Sequence, residues 1–118
     1  STPADKYHPN DVLARALEKQ HLVVTVTSGR EAQRLIEADS AFDLVLCDLL
    51  MPGVDGFGVL ARLRAEPSTA HVPFIFITSS TEVEDVRLGY MLGADEYIRK
   101  PISGDELAAL VARRLKTA

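Results

Sequence analysis

The chain has a single cysteine, Cys47, among its 118 residues. No disulfide can close within it, and a reducing cytoplasm is the compartment this favours. No apolar run approaches the roughly 20 residues that a membrane-crossing helix needs, and no signal-peptide pattern opens the sequence, so nothing points to a membrane. Basic charge is also scarce. Thirteen Lys and Arg stand against 17 Asp and Glu, a net charge of −4, which argues against direct binding of nucleic acid, a task that normally uses a basic surface. Repeats, low-complexity tracts and linker-like stretches are missing too. What is left is an ordinary globular composition, 47% hydrophobic and 25% charged. At this length one domain is expected, burying about two-thirds of its unfolded surface. The closing "RRLKTA" stops just after a helical pattern, so the chain reads as a domain cut from something longer.

Short apolar runs alternate with amphipathic stretches. "HLVVTV" (His21–Val26), "FDLVLC" (Phe42–Cys47), "VPFIFIT" (Val72–Thr78) and "DEYIR" (Asp95–Arg99) read as strands. The first three are nearly continuous in Val, Leu, Ile and Phe, the mark of parallel strands covered on both faces. Between them lie helices. Val12, Leu13, Ala16 and Leu17 fall on one stripe, as do Leu107, Leu110, Val111 and Leu115. Three helix starts carry the capping-box spacing: Ser28/Glu31, Thr81/Glu84 and Ser103/Glu106. A further helix is expected from near Gly56 to about Ala65, with Pro67 beyond it. This alternation implies an α/β fold, an open parallel sheet with helices on both faces.

In such sheets ligands bind at the carboxyl ends of the strands. There the sequence puts Asp48 at the end of one strand, Thr78 at the end of the next and Lys100 directly after the last. A carboxylate beside an ammonium and a hydroxyl suits nucleophilic phosphoryl transfer. Aspartate can attack a phosphoryl group to form an acyl phosphate, while the cation neutralises charge on the transferring oxygens. Gly53 and Gly56 in the following loop let backbone approach that group closely.

Three stretches carry a resemblance: "LVLCDLLMPGVDGFG", "VPFIFITSS" and "GADEYIRKPIS". With them the chain resembles a receiver domain of the two-component response-regulator family over roughly 10–115. The resemblance implies a flavodoxin-like three-layer fold. Asp48 would accept a phosphoryl group from a histidine kinase or phosphotransfer protein, Lys100 would pair with that group, and Thr78 and Tyr97 would form the switch. The Lys100–Pro101 bond would be cis. Mg²⁺ would be held by Asp48, the backbone carbonyl of Leu50 and Asp5. The readout surface would comprise Val83–Leu92, Asp95–Arg99 and Ser103–Leu115. At most the domain would catalyse its own phosphotransfer and dephosphorylation; an independent hydrolase lacks a second carboxylate, since Leu50 stands two residues past Asp48.

The opening segment departs from that family. Where an apolar central strand ending in an acidic pair belongs, this chain has "STPADKYHPND", with Lys6 and Tyr7 at the acidic positions when aligned on Pro9 and Asp5 as the one survivor when counted back from Asp48. We therefore divide the chain into an atypical segment, 1–9, and a receiver-like domain, 10–118. One or no carboxylate beside Asp48 weakens a Mg²⁺ site. The alternative function is a pseudo-receiver, a phosphorylation-independent interaction or dimerisation module. Loss of a central strand leaves its neighbours short of backbone partners. The strand could be lost outright, supplied by another copy as a homodimer or strand-swapped oligomer, or made unnecessary by a sheet that closes up. Cys47, Met51 and Met91 read as packing residues, His8, His21 and His71 as solvent-facing, and Arg113-Arg114-Leu115-Lys116 as favourable charge at a helix C-terminus.

Overall fold

The computed structural model describes residues 22–37, 41–49, 55–79 and 83–117. Strands and helices alternate through them: β1 (Val23–Val26), α1 (Gly29–Glu37), β2 (Leu44–Asp48), α2 (Gly56–Ala65), β3 (Phe74–Thr78), α3 (Val83–Met91), β4 (Glu96–Arg99) and α4 (Gly104–Thr117). Every strand pair is parallel and the order is β1-β2-β3-β4. The layered α/β, flavodoxin-like architecture expected from the sequence is the one observed. The stripe Val12 to Leu17 and the Thr81 cap lie outside the described residues.

The strands start later than their apolar runs suggest, and local hydrogen bonds explain why. Leu22 and Asp43 are pinned to each other before the β1–β2 ladder begins: Asp43 N–H donates to the Leu22 carbonyl at 2.8 Å, and Leu22 N–H to Asp43 Oδ2 at 2.7 Å. Pro73 has no N–H to give, so it contributes only its carbonyl, which accepts from Val45 N–H at 2.9 Å. At the other end β2 runs on to Asp48, paired with Ile77.

Alternation along the strands builds two cores. On one face Val26, Val45, Cys47, Phe74 and Phe76 pack against Ala32 and Leu35 of α1 and Val59, Leu60 and Leu63 of α2. On the other, Val23, Leu44, Leu46, Ile75 and Ile77 lie under Leu107 and Val111 of α4, with Leu110 and Leu115 at the margin. β3 is buried along its whole length. Phe76 is the centre of an aromatic chain, with ring centroids 5.3 Å from Phe57, 4.9 Å from Phe74 and 5.9 Å from Tyr97, all in edge-on or tilted geometry that ring quadrupoles favour. Two capping boxes close as spaced: Glu31 N–H donates to Ser28 Oγ at 3.2 Å and Glu106 N–H to Ser103 Oγ at 3.1 Å.

One expectation needs correction. Met91 does not pack; it is 76% exposed. In α3 it is Gly89 that faces the sheet, where an added Cβ would meet Tyr97 at 3.1 Å. Two positions further on, the helix has turned by about 200°, which carries Met91 to the solvent side. Arg114 stands in the last turn of α4. It reaches back to β4, donating from Nε to Glu96 Oε1 at 3.2 Å and from Nη2 to the Asp95 carbonyl at 2.9 Å. The hydrogen bond it donates to Glu96 holds its guanidinium above the usual arginine range.

The strand order resolves the missing-neighbour problem. β1 pairs directly with β2, from Val23 opposite Leu44 to Val26 opposite Cys47. Among the described residues the sheet is closed up, and no unpaired edge stands between these two strands.

Cys47 is fully buried in β2. Burial, reinforced by the neighbouring Asp48 charge, pushes its thiol up from 9.0 to about 12. The native chain should therefore resist Ellman's reagent at pH 8 and yield its thiol only on unfolding. The unfolded thiol ionises from 9.0 and the folded one only near 12, so this contribution to stability is whole below pH 9 and lost as pH rises toward 12. Denaturant titrations should show a shallower loss above pH 9 in Cys47→Ala than in the parent; equal slopes would contradict the assignment.

Candidate functional site at the carboxyl edge of the sheet

β3 serves as the template for the edge. Its Ile77 carbonyl accepts from Leu49 N–H at 3.0 Å, and its Thr78 carbonyl from Lys100 N–H at 2.8 Å. The ends of β2 and β4 are thereby fastened to consecutive residues of one buried strand. Register completes the placement, with Asp48 opposite Ile77 and Thr78 opposite Arg99. From these anchor points Lys100 Nζ reaches Asp48 Oδ2 at 2.9 Å. The two side chains retain 35% and 19% exposure respectively, so the pair is sheltered yet reachable from solvent. The Lys100–Pro101 peptide is cis.

Thr78 is completely buried. It continues the row of Phe74 and Phe76 on β3 and so lies on the same face of the sheet as Tyr97, which register pairs with Phe76. The Tyr97 ring is half-buried, tilted 56° against Phe76 and covered by Gly89 of α3. The structure thus brings Asp48 and Lys100 into contact and sets Thr78 beside both through the main chain. Leu50 and Asp5 lie outside the described residues.

The residues in hand do not by themselves make a Mg²⁺ site. That ion takes near-octahedral oxygen coordination, usually from one or two carboxylates with several waters. Among the described residues the expected set contributes one carboxylate, Asp48, whose Oδ2 is engaged by Lys100, and no cluster of three His, Cys, Asp or Glu side chains stands together.

Sequence reasoning missed Arg64. Its guanidinium, from the last turn of α2, donates to the Val72 carbonyl at 2.7 Å, to the Gly93 carbonyl at 2.9 and 3.1 Å, and to Asp95 Oδ2 at 3.2 Å. Partial burial lowers its affinity for the proton. Nothing in the local pattern of "LARLRAEP" marks it out.

At the carboxyl edge of this parallel α/β sheet one aspartate is paired with one lysine. Comparison with known proteins identifies the family: the response regulator receiver domain matches residues 5–112, and the chain belongs to that family. It is 41% identical over 99 residues to the transcriptional regulatory protein TcrA of Mycobacterium tuberculosis, covering 83% of this chain and 38% of that protein. It is 35% identical over 91 residues to a probable cyclic di-GMP phosphodiesterase of Vibrio cholerae, covering 77% of this chain and 20% of that protein. Among solved structures, the phosphorylated cyanobacterial phytochrome response regulator RcpA superposes with a TM-score of 0.69 at 29% identity, covering 96% of this chain and 91% of that one. The chain spans less than half the length of the curated relatives it matches, from 20% to 48%. Receiver domains are signalling domains, and acceptance of a phosphoryl group on aspartate is general among them.

Gly89→Ala tests the packing of the switch-candidate ring. A Cβ there meets Tyr97 at 3.1 Å, so the ring must yield. Aromatic resonances of Tyr97 should shift while amides of β2 stay in place. Unmoved Tyr97 resonances would contradict the close contact described.

Proposed function

We propose that this chain is a phosphoacceptor domain in which Asp48 takes a phosphoryl group from the phosphohistidine of a histidine kinase or phosphotransfer protein. The contact between Lys100 Nζ and Asp48 Oδ2, 2.9 Å, carries the reading. An Asp48 carboxylate oxygen attacks phosphorus in line, the phosphorus–nitrogen bond breaks, and the imidazole leaves with the electron pair and takes up a proton. Lys100 then neutralises the oxygens of the phosphoryl group that arrives on the carboxylate it already faces, a stabilisation made stronger by partial exclusion of water. Thr78 and Tyr97 share a face of the sheet, so a hydroxyl drawn toward the new phosphoryl oxygen opens space that the ring can enter, and α3, resting on that ring through Gly89, feels the change. In this reading Thr78 and Tyr97 are the switch and the surface formed by α3, β4 and α4 is the readout. The exposed Leu88, Tyr90 and Met91 lie on that surface.

One observation favours a second reading. Aligned on Pro9, the opening segment holds Lys6 and Tyr7 where the family's acidic pair belongs, and counted back from Asp48 it keeps only Asp5; either way a carboxylate is lost, and a cation in its place would repel a divalent metal. A pseudo-receiver that works by contact alone fits that composition. DNA binding by an attached domain fits a relationship to transcriptional regulators, and a kinase partner follows from the phosphoacceptor reading.

Incubation with acetyl phosphate and Mg²⁺, followed by intact mass measurement, decides between the readings. The parent should gain one phosphoryl group, Asp48→Asn none, and Lys100→Ala should gain it at least about ten-fold more slowly. Because the ion pair is partly exposed, Lys100→Ala should cost only about 1 kcal/mol or less of stability by denaturant titration. A folded parent that gains no mass, beside a competent regulator that does, overturns the phosphoacceptor reading in favour of the pseudo-receiver.

A further inference from the structure

Arg64 ties together three segments at the amino end of the sheet, away from the Asp48–Lys100 edge. It accounts for hydrogen bonds to the carbonyls of Val72, just ahead of β3, and Gly93, just after α3, and to the carboxylate of Asp95, just ahead of β4. Asp95 Oδ2 in turn accepts from Phe74 N–H at 2.8 Å, and Asp95 N–H donates to the Phe74 carbonyl at 2.9 Å. The knot is built for this one side chain. Gly93 has φ +104°, a conformation that favours glycine, and a Cβ there would come within 3.0 Å of Arg64 Nε. The Arg64 side chain is 20% exposed, and its bonds are charge-assisted, the stronger class of hydrogen bond.

The position of the knot matters for α3. That helix leaves the sheet after Thr78, beside the site, and ends where Leu92, Gly93 and Ala94 donate back to Leu88, Tyr90 and Gly89. Its two ends are therefore held by different things. The far end is held by Arg64 through Gly93; the near end follows β3. Between them, Gly89 rests on Tyr97.

We propose that Arg64 is a positioning residue that fixes the C-terminal end of α3, so that displacement arising at the site pivots the helix about Gly93 and moves its Val83 end. The pivoting rests on the phosphoacceptor reading; the anchoring does not. Without the anchor, the same displacement would slide the whole helix, and the surface bearing Leu88, Tyr90 and Met91 would take no defined new orientation.

Amide hydrogen exchange on the full chain tests the anchor first. In Arg64→Gln, protection at Gly93, Ala94, Asp95 and Phe74 should fall about ten-fold or more, the loss expected when charged-group hydrogen bonds are removed. Protection at Leu49 and Lys100, which bond β3 at the opposite edge, should fall less than about two-fold. Arg64→Lys, which keeps the charge but not the forked geometry, should restore only part of it. If Arg64→Gln does not fold, the Lys variant decides alone: local loss confined to the knot supports the anchor, and parent-like or uniform changes overturn it. Acetyl phosphate is then added. In the parent, amide shift changes along α3 should be largest near Glu84 and smallest at Gly93; in the variant that gradient should flatten. A parent that gains a phosphoryl mass but shifts equally along α3 overturns the pivot. A parent that gains no mass overturns the function proposed above and the pivot with it, while the exchange result still judges the anchor.

Discussion

Everything at the candidate site depends on one buried strand. β3 has no exposed residue, and its last two carbonyls hold the main chains that carry Asp48 and Lys100. Holding a carboxylate and an ammonium at contact distance with long, flexible side chains is entropically unfavourable on a surface, which is why exposed ion pairs are worth little. Here the backbone has already fastened the two main chains to consecutive residues of the strand between them, and less ordering remains to be done. The strand supplies rigidity because both of its faces are packed: Phe74 and Phe76 beneath α1 and α2, Ile75 and Ile77 beneath α4.

The two ends of the sheet are then chemically distinct. At the carboxyl edge stand partly exposed Asp48 and Lys100 with buried Thr78 behind them. At the amino end stands a sheltered knot of Arg64, Gly93 and Asp95, which locks α2, α3 and β4 to the start of β3. A change in charge at the first end meets a fixed point at the second. α3 and Tyr97 lie between, with Gly89 close against the ring and Leu88, Tyr90 and Met91 facing outward.

Much of this was legible in the sequence. Strand–helix order followed from continuous apolar runs and capping boxes, and the site edge followed from Asp48, Thr78 and Lys100 each standing at the end of a run. These are local patterns, set by residue type and period. What escaped is long-range. Arg64 and Arg114 find partners 29 and 18 positions away in the chain, and no periodicity announces that. Met91 was misjudged because apolar character does not say which side of a helix faces the sheet; a glycine, with no side chain to display, took that place. The direct pairing of β1 with β2 is a property of strand order, which residue patterns constrain only weakly. It was one of three outcomes left open by the polar opening segment.

In the proposed reaction the edge carboxylate is the nucleophile, and the lysine ammonium held against it steadies the charge of the incoming phosphoryl group. Borohydride reduction of the chain after exposure to a phosphodonor, with peptide mapping, tests this most directly, since an aspartyl phosphate is reduced to homoserine and a free carboxylate is not. The account predicts homoserine at position 48, greatly diminished in Lys100→Ala. Homoserine at another aspartate, or none in a folded and donor-treated parent, contradicts it.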